Sequence, residues 1–107
     1  MQSRMKVLEV LFELESAVAD AYKYGNFSAD LQVHINRCAL FISCLCASMP
    51  LHFISCRKIR KAWKNVEITI NDNRPIAAGY TLSTINNNKA TAANQAIEAL
   101  IRAVAGK

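Results

Sequence analysis

Residues 66–82 run Val-Glu-Ile-Thr-Ile-Asn-Asp-Asn-Arg-Pro-Ile-Ala-Ala-Gly-Tyr-Thr-Leu. Val66, Ile68 and Ile70 alternate with Glu67 and Thr69, which is the period of a half-buried strand. Asn71, Asp72, Asn73, Arg74 and Pro75 are dense turn formers. Ile76, Ala78, Tyr80 and Leu82 then alternate again. The stretch therefore predicts an antiparallel β-hairpin with a loop of about five residues. Gly79 would mark a bulge or a close backbone approach. A lone two-stranded hairpin is marginal in water, so it has to pack on helices or pair edge to edge with a second chain.

The flanking sequence is helical in period. Over residues 4–22, Val7, Leu8, Leu11, Leu14, Ala17, Val18 and Ala21 fall on one side and Glu9, Glu13 and Asp20 on the other, with Gly25 as a stop. Ser28 is placed to cap a second helix over 29–48, with Asp30 in its first turn. That helix begins amphipathic, with Leu31, Ile35 and Cys38 aligned. Beyond Cys38 it is apolar all round, as a mostly buried helix is. Pro50 ends or kinks it. Residues 51–64 form a third helix, although 51–56 also fits an extended segment. Asn86, Asn87 and Asn88 form a polar connector. A last helix over 91–105, capped by Thr91, aligns Ala93, Ala96, Ile97, Leu100, Ile101 and Val104. The expected architecture is an α+β domain covering 1–107, mainly helical, in the order α-α-α-β-β-α. A hairpin followed by an Ala-rich helix is common among small accessory proteins of bacteria and phages, but no motif ties this chain to a family.

A chain of 107 residues is the size of one domain. At 52% hydrophobic and 20% charged it is not a disordered tail. This much apolar content exceeds what one small domain readily covers, which points to a homodimer that buries the remainder between subunits. The net charge of +5 is unevenly spread. Arg57, Lys58, Arg60, Lys61 and Lys64 cluster within one helix, and Glu9, Glu13, Glu15 and Asp20 within another. On a helical wheel Arg57, Arg60, Lys61 and Lys64 share a narrow sector opposite His52, Cys56, Ile59 and Trp63.

That basic face is the first candidate binding surface. Aligned cations suit a phosphate backbone, an acidic protein or an anionic surface. Trp63 projects to the apolar side and so belongs with the core rather than with a stacked base. No Gly-rich turn, aromatic RNA-binding signature or zinc-finger spacing accompanies the cations. Glu9, Glu13 and Glu15 form the second candidate surface, an acidic one. The edges of the hairpin are a third.

Between Arg37 and Arg57 run the nineteen uncharged residues 38–56, which contain all four cysteines. Their length approaches a membrane span. Pro50, His52, Ser43, Ser48 and Ser55 argue against one, and positive flanks on both sides leave the orientation signal weak. His34-x3-Cys38 and His52-x3-Cys56 each place an imidazole and a thiol one helical turn apart, which makes these four residues candidate zinc ligands. The short Cys-x2-Cys knuckle is missing, so core cysteines are the simpler reading and no metal is expected. Free, buried thiols fit a reducing, cytoplasmic setting. Glu9, Glu13 and Glu15 interrupt any N-terminal signal sequence.

Catalysis has little support. Glu9 and Glu13 are spaced i, i+4, but at outer-face positions and without an acid–base partner. The three glycines form no phosphate-cradling loop. The expectation is a small non-enzymatic binding or regulatory protein acting by protein–protein contact, as a homodimer, with no cofactor and no small-molecule substrate. The alternative is a nucleic-acid-binding regulator that uses the basic helix 57–64.

Overall fold

The computed structural model describes residues 4–24, 29–48, 53–71 and 82–106, with side chains over 4–22, 31–48, 54–70 and 90–106. These residues form four α-helices: α1 (Arg4–Tyr24), α2 (Ala29–Ala47), α3 (Phe53–Asn71) and α4 (Leu82–Ala105). No strand occurs among the described residues. The α+β class and the hairpin are therefore corrected to an all-helical fold.

The correction turns on Ile68. Val66, Ile68 and Ile70 would face one way in a strand, but Val66 is 0% exposed, Ile70 3% and Ile68 58%. Two periods overlap in this stretch. The alternation of period 2 competes with Ile59, Trp63, Val66 and Ile70, spaced 4, 3 and 4 residues apart, and the second set makes one continuous helical stripe. A helix satisfies its interior backbone groups locally and leaves only its ends open, whereas a lone hairpin leaves both edges open along their length. Thr69 fits the helix as well: its Oγ1 donates to the carbonyl oxygen of Asn65 at 2.7 Å, the i−4 bond a helical threonine makes. The turn at 72–75 and the second strand over 76–81 lie outside the described residues, and Leu82 opens α4.

Asn86, Asn87 and Asn88, expected as a connector, lie within α4, and Thr91 stands inside that helix rather than at its cap. Asparagine is a poor helix former. Extending a helix that is already nucleated costs far less than starting one, so the Ala-rich 90–105 segment can carry the polar turns before it. The caps expected at Ser28 and the stops at Gly25 and Pro50 lie outside the described residues. With the hairpin gone, the likeness to small bacterial and phage accessory proteins has nothing to rest on.

The four helices close in a ring: α1 packs on α2, α1 on α4, α3 on α4 and, least extensively, α2 on α3. The diagonal pairs, α1 with α3 and α2 with α4, do not meet among the described residues. Neighbours of α1 run antiparallel to it. Glu13 meets Arg37 while Val10 meets Cys38, and Arg4 meets Val104 at the opposite end of α4. The body is elongated, 51 × 23 × 18 Å, as side-by-side helices make it.

Each helix contributes one apolar stripe to the centre. Val7, Leu11, Leu14 and Val18 come from α1, Leu31, Ile35, Cys38 and Ile42 from α2, Ile59, Trp63, Val66 and Ile70 from α3, and Ala93, Ile97, Leu100 and Val104 from α4. Burial of each large aliphatic side chain contributes about 1.5–3 kcal/mol, so these stripes drive the assembly. No charged or polar residue is fully buried among them. The uncharged run 38–56 is divided between α2 and α3. Among the described residues no helix is long and apolar enough to cross a membrane.

Candidate functional site

The outward face of α3 follows from its core stripe. Once Ile59, Trp63, Val66 and Ile70 turn inward, helical geometry sends Arg57, Lys58, Arg60, Lys61 and Lys64 outward, and all five are exposed. Sequence reasoning missed two members of this face, Ile54 and Ile68. They are 70% and 58% exposed and stand at either end of the basic stripe. Their spacing to Lys61, seven residues on each side, was a readable signal, hidden by the assignment of 66–70 to a strand. The face is thus cationic in the middle and apolar at both ends. Trp63 is 7% exposed in the core, as expected, and presents no ring for stacking.

The acidic residues of α1 separate. Glu9 and Glu13 lie on the outer side. Glu9 pairs with Lys6 at 3.9 Å and Glu13 with Arg37 at 3.0 Å. These pairs are half-exposed or more, a setting in which ion pairs contribute about 0–1 kcal/mol. Glu15 is not brought to the same side. It turns toward α4 and lines a cleft of about 340 Å³ with Val18, Ala19, Ala90, Thr91 and Asn94. Its Oε2 is buried and accepts no hydrogen bond among the described residues. Burial, and then the nearby Glu98 carboxylate, push the Glu15 carboxyl above its ordinary value. The cleft offers a carboxyl, a hydroxyl and an amide, a set able to hydrogen-bond a small polar group but holding no nucleophile–base pair.

The candidate zinc ligands do not converge. His34 and Cys38 share α2, but Cys38 turns toward α1 and its thiol donates to the Val10 carbonyl oxygen at 3.3 Å. Burial pushes the Cys38 thiol up to about 12, so it stays protonated and unreactive. Cys56 lies beside Cys46 at the C-terminal end of α2, two turns beyond Cys38, and His52 lies outside the described residues. No group of three or more potential ligands forms among the described residues. All four cysteines are free. Only Cys38 and Cys46 are buried. Cys44 is exposed and Cys56 half-buried, where the sequence suggested buried thiols throughout.

Cys46 and Cys56 form a constellation the sequence did not reveal. The Cys46 Sγ lies 4.0 Å from the Cys56 carbonyl oxygen, and the Cys56 Sγ lies 3.9 Å from the Cys46 carbonyl oxygen. Burial raises the Cys46 thiol most, and its hydrogen bond with the Cys56 thiol raises it further. A hydrogen bond from Arg60 acts in the opposite direction. Arg60 thus joins the thiol pair to the basic face. Comparison of the chain with protein families, with curated proteins and with solved structures returned no match.

Proposed function

We propose that this protein is a small non-enzymatic binding or regulatory protein that acts by protein–protein contact, with the outward face of α3 as its contact surface. The observation that carries the reading is the composition of that face: Arg57, Lys58, Arg60, Lys61 and Lys64 exposed between the exposed Ile54 and Ile68. A mixed apolar and cationic stripe suits an acidic amphipathic helix. Carboxylates on such a partner meet the cations, and its apolar side chains cover the isoleucines. Self-association as a homodimer belongs to the same proposal and would use other surfaces.

A nucleic-acid-binding regulator is the second reading, favoured by five exposed cations on one helix. Phosphate contacts release counterions, so affinity would fall steeply with salt, whereas contacts centred on Ile54 and Ile68 would depend on salt far less. The test titrates the protein with two fluorescent probes, an acidic amphipathic helical peptide and a single-stranded oligonucleotide, at low and moderate salt. Peptide binding that weakens about tenfold or more in Ile54→Ala/Ile68→Ala and in the charge reversal Arg57→Glu/Arg60→Glu/Lys61→Glu supports protein contact. Oligonucleotide binding that is indifferent to the isoleucines, and lost on charge reversal, supports nucleic acid. Neither probe binding at micromolar protein would remove α3 as the contact surface.

A further inference from the structure

The junction between α2 and α3 is the least extensively packed of the four helix–helix contacts, and it is where two thiols stand side by side. Cys46 occupies the last turn of α2 and Cys56 the first turn of α3. We propose that Cys46 and Cys56 are a redox modification site: a dithiol that closes reversibly to a disulfide and ties the start of the basic helix to the end of α2.

The geometry supports the pairing. Each sulfur lies within 4.0 Å of the other residue's carbonyl oxygen, so the two side chains cross reciprocally between the helix ends. A disulfide joins residues whose Cα atoms are about 4.4–6.8 Å apart. With each sulfur already against the other residue's backbone, closure takes side-chain rotation and a small approach rather than a rearrangement of the bundle. The other cysteines are not placed to compete. Cys38 faces α1 and lies eight residues, or about 12 Å, back along α2. Cys44 points outward into solvent.

The oxidant class is a peroxide. Of the two, Cys56 is the more exposed and is oxidised first. Its thiolate takes one oxygen from hydrogen peroxide, giving a sulfenic acid and hydroxide. The Cys46 thiolate then attacks the Cys56 sulfur, the S–S bond forms, and the sulfenic oxygen leaves as hydroxide. The two thiol protons convert both hydroxides to water. Two thiols and one peroxide thus give one disulfide and two waters, and the chain loses two hydrogen atoms. Burial holds Cys46 protonated, so the closing step quickens as pH rises. Arg60 of the cationic face stands one helical turn beyond Cys56, so the dithiol adjoins the basic stripe.

The whole chain is incubated with a small excess of hydrogen peroxide and its intact mass compared before and after, then again after dithiothreitol. The expected result is loss of two hydrogens, restored by the reductant. Trypsin leaves all four cysteines in the peptide 38–57, so cyanogen bromide cleavage at Met49 is used to separate Cys56 from the other three. The linkage should then join Cys56 to Cys46. Cys44→Ser should keep the mass loss, and Cys56→Ser should abolish it. Cys56→Ser is the safer variant because Cys56 is only half-buried. Closing a loop of about ten residues should raise the thermal midpoint by roughly 10 °C. An unchanged mass with the protein folded, a linkage through Cys44, or a covalent dimer would each overturn the assignment.

Discussion

Replacing Ile70 by alanine tests the helix in the stretch where the fold is decided. Ile70 is 3% exposed and closes the α3 stripe that begins at Ile59. Alanine removes three carbons, about 0.8 kcal/mol each in transfer free energy, and leaves part of a cavity, for a total near 3 kcal/mol. At about 4 °C per kcal/mol in a chain of this size, the thermal midpoint should fall by roughly 12 °C. Ile68→Ala is the matched control. Ile68 is 58% exposed, so most of its side chain stays in water and no cavity forms. The better helix propensity of alanine offsets about 0.4 kcal/mol of what is lost, leaving a change close to zero. Urea and thermal unfolding followed by circular dichroism measure both. In a strand Val66, Ile68 and Ile70 would share one face and cost alike. Equal losses at 68 and 70 would refute the helix.

Gly106 follows α4 with φ +81°, and its N–H donates to the Ala103 carbonyl oxygen at 3.3 Å. Gly106→Ala should lose about 1 kcal/mol by unfolding titration, because a Cβ is disfavoured in that left-handed conformation and would stand 3.4 Å from the Arg4 Nη1 that donates to the Val104 carbonyl oxygen. Glu15 sets a pH dependence. Its folded pKa is raised, so the folded state binds the proton more tightly than the unfolded chain, and stability falls as pH rises from the ordinary carboxylate value through the raised one. Glu15→Gln should therefore raise the thermal midpoint at neutral pH and lose that advantage in acid; a neutral-pH midpoint at or below that of the unaltered protein would contradict the burial and Glu98 repulsion assigned to Glu15.

The helices with one dominant period were legible. Val7, Leu11, Leu14 and Val18 of α1, and Ile97, Leu100 and Val104 of α4, were readable as core from spacing alone and are buried. The 66–70 stretch was not legible, because Val66 and Ile70 belong to both periods and only Ile68 distinguishes them. The fate of Ile68 depends on whether a helix already running from Phe53 continues, which is a matter of tertiary packing and not of the local pattern. Missing that continuation also hid Ile68 as the second apolar end of the basic face. The five cations were legible because charge segregation needs only the wheel. The Cys46–Cys56 approach was not, since it depends on how α2 and α3 meet across the residues between them. Glu15 was grouped with Glu9 and Glu13 by proximity in sequence, although six residues from Glu9 brings it round toward α4.

The placement of charge constrains how two copies could associate. The outward acids Glu9 and Glu13 lie on α1 and the outward cations on α3, and these helices are diagonal in the ring. A contact of α1 in one copy with α3 in another leaves a free α3 on the first and a free α1 on the second, so it repeats into rings or chains rather than stopping at a pair. A homodimer must instead set one surface against its own copy. The basic face is unsuited to this because like charges would meet. The outer side of α2 is better suited, since Val33 and Leu40 stand seven residues apart at 61% and 62% exposure with Cys44 one further turn along. Two such stripes can pack across a two-fold axis and leave α3 open for a partner. Leu40→Glu should then convert a dimer to a monomer in sedimentation velocity while peptide binding at α3 is unchanged. A dimer that survives Leu40→Glu and dissociates in high salt would show that charge, rather than α2, holds the copies together.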